Sequence, residues 1–160
     1  METKHIELYF DGSCIQNPDG QMGFGVLLID LQTKDRVELY GGELPCKGNT
    51  NNVAEYRALL MGLNKLFEYN FCNVTIKGDS QLVINQISGK WKIKKNTNSY
   101  YTEYALETIE IIKSLFIKNN IKFRFEWIPR EQNEDADRLS NKFHCKSDSD
   151  YSDMVKSMRF

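Results

Sequence analysis

Three strand-like stretches crowd into the first 44 residues, joined by links too short to hold a helix, and this dictates how the fold begins. Residues 5–11 alternate, with Ile6, Leu8 and Phe10 on one side and Glu7, Tyr9 and Asp11 on the other, the period of a half-buried strand. The turn-rich QNPDGQ separates this stretch from an apolar run at 22–29, and LQTKD separates that run from RVELYGGEL at 36–44. Links of this length join antiparallel neighbours, because a parallel return needs a crossover of about a dozen residues or more. The chain therefore opens as an antiparallel meander.

Helical spacing appears only afterwards. From about Thr50, Ala58, Leu59, Leu63, Leu66 and Phe67 form an apolar stripe. NVTIK then reads as a short strand leading into Gly78-Asp79-Ser80, followed by a helix over about 80–88. Tyr100 to Lys118 is amphipathic, IKFRFEWI (121–128) is a strand halted by Pro129, and a last helix is expected over 133–144. The order β-β-β-α-β-α-α-β-α predicts an α/β fold of the mixed (α+β) kind, a five-stranded sheet with its first three strands antiparallel and helices covering it. Residues 1–145 are expected to form the domain and 146–160 a tail, polar and then weakly amphipathic.

With 41% hydrophobic and 27% charged residues, the 160-residue chain has the composition of one soluble domain. Its longest apolar runs, such as VLLI at 26–29, are too short to span a bilayer, so no membrane is expected as a partner. METKHIELYF lacks the pattern of a secretory signal. Cys14, Cys46, Cys72 and Cys145 form no CxxC pair, which suits reduced thiols in a cytoplasmic compartment. A monomer is expected, and the Met1 start with its own tail reads as a free-standing protein. Net charge is −1, so nucleic-acid binding has to be argued locally. GKWKIKK (89–95) sets Lys90, Lys92, Lys94 and Lys95 around Trp91 without an acid, an expected phosphate-contacting edge.

Four acids fall at element ends. Asp11 is expected to end the first strand and Asp79 the fourth, while Glu55 and Asp137 lie in the opening turns of helices. Taken singly, each has a structural explanation, since turns favour acids and helix N-termini stabilise them by about 0.3–1 kcal/mol. Taken together they weigh differently, since Asp11 and Asp79 mark the carboxyl ends of strands, where open sheets place ligands, and Glu55 and Asp137 would come to them from helix starts. If they meet, their repulsion calls for cations. Oxygen ligands without histidine or thiolate select magnesium or manganese over zinc. Two such ions can drive an in-line displacement at a phosphodiester. Of the crowded acids Glu134, Asp135 and Asp137, the first two read as helix-start acids.

YFDGSCIQNPDGQMGFGVLL, TNNVAEYRALLMGL, IKGDSQLVINQISGKW and WIPREQNEDADRLSN resemble, in order and spacing, the four motif blocks of the type 1 ribonuclease H family, over about residues 5–143. The resemblance implies the ribonuclease H-like fold and a magnesium-dependent endonuclease, with manganese as the alternative ion. Such an enzyme cuts the RNA strand of RNA–DNA hybrids and leaves 3′-hydroxyl and 5′-phosphate ends. It assigns two metal ions to Asp11, Glu55, Asp79 and Asp137, and gives Asp135 no required role. It places Thr50, Asn51 and Asn52 against the hybrid's backbone, where small polar side chains at a helix start suit phosphate and sugar. Thr50 also suits a helix cap. Gly12, Ser13 and Asn17 are expected in a loop near the 2′-hydroxyl, with Ser80, Gln81, Trp91, Lys92, Lys94 and Lys95 completing the substrate contacts. Better-known bacterial members carry a histidine before the last helix and a basic helical protrusion. Here IPREQNE has no histidine, and neither His5, expected at a strand edge, nor His144 matches the position. The chain thus resembles the histidine-less, archaeal-like branch, with Arg130 or Glu131 as the candidate for the missing role. The alternatives are a nuclease of this fold acting on double-stranded RNA or branched DNA, a non-catalytic hybrid-binding module, and a domain of a larger polyprotein.

Overall fold

A computed structural model describes residues 4–68, 73–94 and 99–143. The expected tail, His144, Cys72, Cys145 and Lys95 lie outside the described residues. Strands β1 (His5–Cys14), β2 (Met22–Asp30) and β3 (Arg36–Glu43) form the expected meander. Helix α1 (Asn51–Leu66), strand β4 (Asn73–Gly78), helices α2 (Gln81–Ile87) and α3 (Thr102–Asn119), strand β5 (Lys122–Trp127) and helix α4 (Glu134–Ser140) follow. The sheet order is β3-β2-β1-β4-β5, with β4 parallel to both β1 and β5.

The two faces of the sheet are covered by different helices. Ile6, Leu8 and Phe10 share one face with Val26, Leu28, Val74 and Ile76 and pack under α1, α2 and α3 in the core. Helix α4 packs on β2, β1 and β3. Covered on both sides, Met22–Leu28 is buried at every position, which is why this strand reads as a continuous apolar run rather than an alternation. At Gly25 an added Cβ would stand 2.2 Å from the Ala136 carbonyl oxygen and 2.5 Å from the Ser140 nitrogen. The α4 backbone therefore rests directly on that of β2, a distance only glycine permits.

Two boundaries differ from expectation. Helix α4 ends at Ser140, because Phe143 leaves the helical path to bury its ring against Gly42 of β3. Strand β1 does not end at Asp11 but runs to Cys14, its ladder with β2 continuing through Asp11↔Gly25 to Cys14↔Met22. Its parallel pairing with β4 stops at Tyr9↔Lys77. Past that point one side of β1 is unpaired, and this notch between β1 and the end of β4 is where the acids converge.

Candidate metal centre and nucleic-acid interface

Asp11 reaches the notch from β1, where it is 6% exposed. Glu55 arrives from the second turn of α1. Gly12 makes this approach possible, since a Cβ there would sit 2.2 Å from the Ala54 carbonyl carbon and 2.3 Å from the Glu55 nitrogen. Asp79 follows β4 directly, and its carbonyl accepts a 3.0 Å hydrogen bond from the Trp127 indole. Ligand oxygens of Asp11, Glu55 and Asp79 all lie within 4.8 Å of one another. Asp137, from α4, lies close enough for its charge to raise the Asp11 carboxyl, but stands outside this set of three.

The electrostatics of the cluster follow from burial and like charge. Desolvation pushes the Asp11 carboxyl up to about 7, and the charges of Asp79 and Asp137 add to the shift. Glu55 is driven well above the carboxylate range, first by burial and then by Asp11 and Asp79. Asp79 is raised by burial, against the opposing charge of Arg130 and the nearby Asn133 amide. Glu55 Oε2 is buried with no hydrogen-bond partner among the described residues. A buried, unpartnered carboxylate oxygen beside two other carboxylates is a donor set suited to a hard divalent cation, so the residues fit the implied metal.

Residues 9–143 match the family model described as reverse transcriptase-like. A ribonuclease H of Desulforamulus reducens is 35% identical over 146 residues, covering 86% of each chain. The chain belongs to the ribonuclease H family. The N-terminal RNase H domain of a Mycobacterium tuberculosis protein superposes with a TM-score of 0.73 at 26% identity, over 97% of this chain and 99% of that one. A compost-derived RNase H1 solved in complex with an RNA/DNA hybrid gives a TM-score of 0.66 at 31% identity, over 86% of this chain and 94% of that one. The chain spans only 33% of the length of the full mycobacterial protein, described as bifunctional, to which it is 34% identical over 133 residues.

Around the ribonuclease H acids, the predicted substrate residues lie at the starts of α1 and α2, in β1 and the loop after it, and in the segment that follows α2. Thr50 caps α1, accepting a 3.1 Å hydrogen bond from Val53 N–H, and Ser80 caps α2, accepting one from Val83 N–H at 3.2 Å. Asn51 and Asn52 open α1, and Asn51 Oδ1 accepts from Cys14 N–H while its own N–H donates to Asn17 Oδ1. These bonds staple the 15–21 loop to the helix start and hold Asn17, Asn51 and the end of β1 together. Gly12 and Ser13 are not in a loop as expected. They belong to β1, because β2 continues to pair alongside them, and the Ser13 hydroxyl donates to the Ser140 carbonyl at 3.3 Å. Gln81 is exposed at the start of α2. Lys90, Trp91, Lys92 and Lys94 are exposed after α2, while Ile93 between them packs against the core.

The short turn Arg130–Gln132 precedes α4. Arg130 Nη2 lies 3.7 Å from Asp137 Oδ1 and its charge also reaches Asp79, whereas Glu131 is an exposed carboxylate of the same sign as the acids. Asp135 faces away, paired with Arg36 at 3.0 Å and Arg138 at 3.5 Å. His5 opens β1 in the middle of the sheet, its ring nitrogen 2.7 Å from Thr75 Oγ1. Six residues along the strand separate it from Asp11, roughly 20 Å at about 3.3 Å per residue. Sequence reasoning missed Trp127 and Asn133, both of which hold backbone next to an acid. Their position beside the motif acids was legible, but the carbonyls they bind were not.

Proposed function

We propose that this chain is a type 1, histidine-less ribonuclease H that hydrolyses the RNA strand of RNA–DNA hybrids, leaving 3′-hydroxyl and 5′-phosphate ends. The observation that carries the reading is the convergence of Asp11, Glu55 and Asp79 in the notch between β1 and β4, with Asp137 beside them. In this reading the four carboxylates hold two magnesium ions, or manganese, which when bound neutralise the acids and activate water for in-line attack on phosphorus. Asp11 sits centrally, grouped with Glu55 and Asp79 and feeling the charge of Asp137 from α4. The stapled Asn17 and Asn51, with Asn52, Thr50, Gly12 and Ser13, bind the RNA strand's sugar–phosphate. Ser80 and Gln81 meet the minor groove, and Trp91 with Lys92, Lys94 and Lys95 meets phosphate. Arg130, rather than Glu131, takes the place of the absent histidine, since its guanidinium faces the acids and can draw phosphate in or out.

Residues 1–145 form the catalytic unit in this reading, acting as a monomer in the cytoplasm. Cys14 and Cys46, free among the described cysteines, support a reducing compartment. Among the described residues no helix is long and apolar enough to cross a membrane.

Labelled RNA–DNA, RNA–RNA and DNA–DNA duplexes, each incubated with magnesium, manganese or a chelator, test the proposal. Cleavage of the hybrid's RNA strand alone, dependent on the metal, is expected. Asp11→Asn should abolish cleavage yet bind the hybrid with nearly wild-type affinity. Cleavage by that variant at the wild-type rate would mean the site is misassigned.

A further inference from the structure

We propose that Asn133 is a positioning residue of the carboxylate site, its side-chain amide tying the strand that carries Asp11 to the helix that carries Asp137. The inference rests on the reading that these acids hold the metal. Asn133 stands where the Arg130–Gln132 turn passes into α4 and is 1% exposed. Its Nδ2 donates a 2.9 Å hydrogen bond to the Phe10 carbonyl, the peptide that leads into Asp11. Its own backbone carbonyl accepts from the Asp137 N–H at 3.0 Å. Through one residue, two hydrogen bonds thus join the backbone at Asp11 to the backbone at Asp137. The same amide also lowers the Asp79 carboxyl, against the burial that raises it.

Two ordinary uses of a buried asparagine here do not account for it. Asparagine at a helix start commonly caps the helix through its side chain, yet α4 has no side-chain cap bond. A residue serving only to fill space would avoid an unpaired polar atom, yet Asn133 Oδ1 is buried with no partner among the described residues. An acceptor left in that state forfeits the hydrogen bonds that water would give it. Turning the amide over would place Oδ1 against the Phe10 carbonyl, oxygen to oxygen, so the orientation is set by the N–H groups. What the amide supplies is a donor held to the Phe10 carbonyl, on the strand that carries Asp11. Partners of this kind, one bond behind the ligands, typically carry about a 10–100-fold effect on metal affinity or activity.

Calorimetric titration of Mn2+ into the nucleic-acid-free full chain tests the assignment, with wild type, Asp11→Asn and Asn133→Leu compared. Leucine keeps the volume and removes the donors together with the unpaired acceptor. The expected result is Mn2+ affinity in Asn133→Leu weakened about 10-fold or more, and kcat on hybrid lowered about 10–100-fold. KM should stay within about threefold, and the melting temperature should fall because the buried Phe10 carbonyl loses its donor, so Mn2+ affinity is read well below the melting transition. A role confined to stability would lower the melting temperature alike but leave the Mn2+ affinity and kcat of the folded protein intact, which overturns the proposal. If Asn133→Leu does not fold, Asn133→Ala, which leaves a small cavity instead of a misfit, carries the same comparison. Wild-type binding abolished by Asp11→Asn but unchanged in the Asn133 variants sinks this inference alone. Wild type that takes up no Mn2+ sinks the metal-site reading and this inference with it.

Discussion

Asp135 and Asp137 are two positions apart in one helical turn and have opposite surroundings. Asp135 joins Arg36 and Arg138 on the β3 side, an exposed pairing worth at most about 1 kcal/mol. Asp137 turns toward Asp11 and Arg130. Asp135→Asn is therefore expected to keep cleavage within about threefold of wild type, while Asp137→Asn lowers kcat about tenfold or more, as loss of a metal ligand or its close partner does. Steady-state rates on one hybrid rank the two, and the reverse order would show that the register of α4 had been misassigned. The motif AD-x-L made Asp137 legible in sequence. The arginine partners that turn Asp135 aside come from β3, about 100 residues away, and from its own helix, and no local pattern announces the first of them.

The packing of helices on the sheet was less legible than the helices themselves. Thr50, the apolar stripe of α1 and the alternation of β1 are local signals, and the elements formed where those signals lie. Gly25 reads in sequence as a weak point in a strand, whereas in the fold it is the floor on which α4 rests. Gly25→Ala should force α4 outward, destabilising the protein by about 1–3 kcal/mol in denaturant titrations and lowering activity because Asp137 moves with the helix. Full stability and activity in that variant would mean that α4 is not seated as described. The segment after α2 shows the other kind of element, with its cations outward and Ile93 inward. Exchanging Lys90, Lys92, Lys94 and Lys95 for glutamine is expected to weaken hybrid binding and flatten its salt dependence, by about 0.9 in log–log slope for each phosphate no longer neutralised. An unchanged slope would reduce the stretch to a solvated surface.

Folding gathers the acids at a cost that pH reveals. The Asp11 carboxyl is pushed up to about 7 in the fold, from 3.8 when free, so the fold favours its protonated form. Its contribution to stability is full below the unfolded value and is lost as pH rises through the folded one. Between pH 5 and 8 the metal-free protein should lose roughly 2–3 kcal/mol from this group, at about 1.4 kcal/mol per pKa unit. Denaturant melts in chelator should show that loss in wild type and much less of it in Asp11→Asn. Magnesium at about 100 times its Kd should return about 2.7 kcal/mol at pH 8, in wild type only. A metal-free wild type that gains stability relative to Asp11→Asn over this range would contradict the assigned burial. The order of elements, the antiparallel opening and the register of the four acids could all be read from the chain, because periodicity, turn chemistry and motif spacing are local. Which side of β1 stands open, which of Arg130 and Glu131 faces the acids, and what the Asn133 amide holds depend on contacts between residues far apart in sequence. Such contacts are set by how two helical layers close on opposite faces of one sheet, and only the folded chain brings their atoms together.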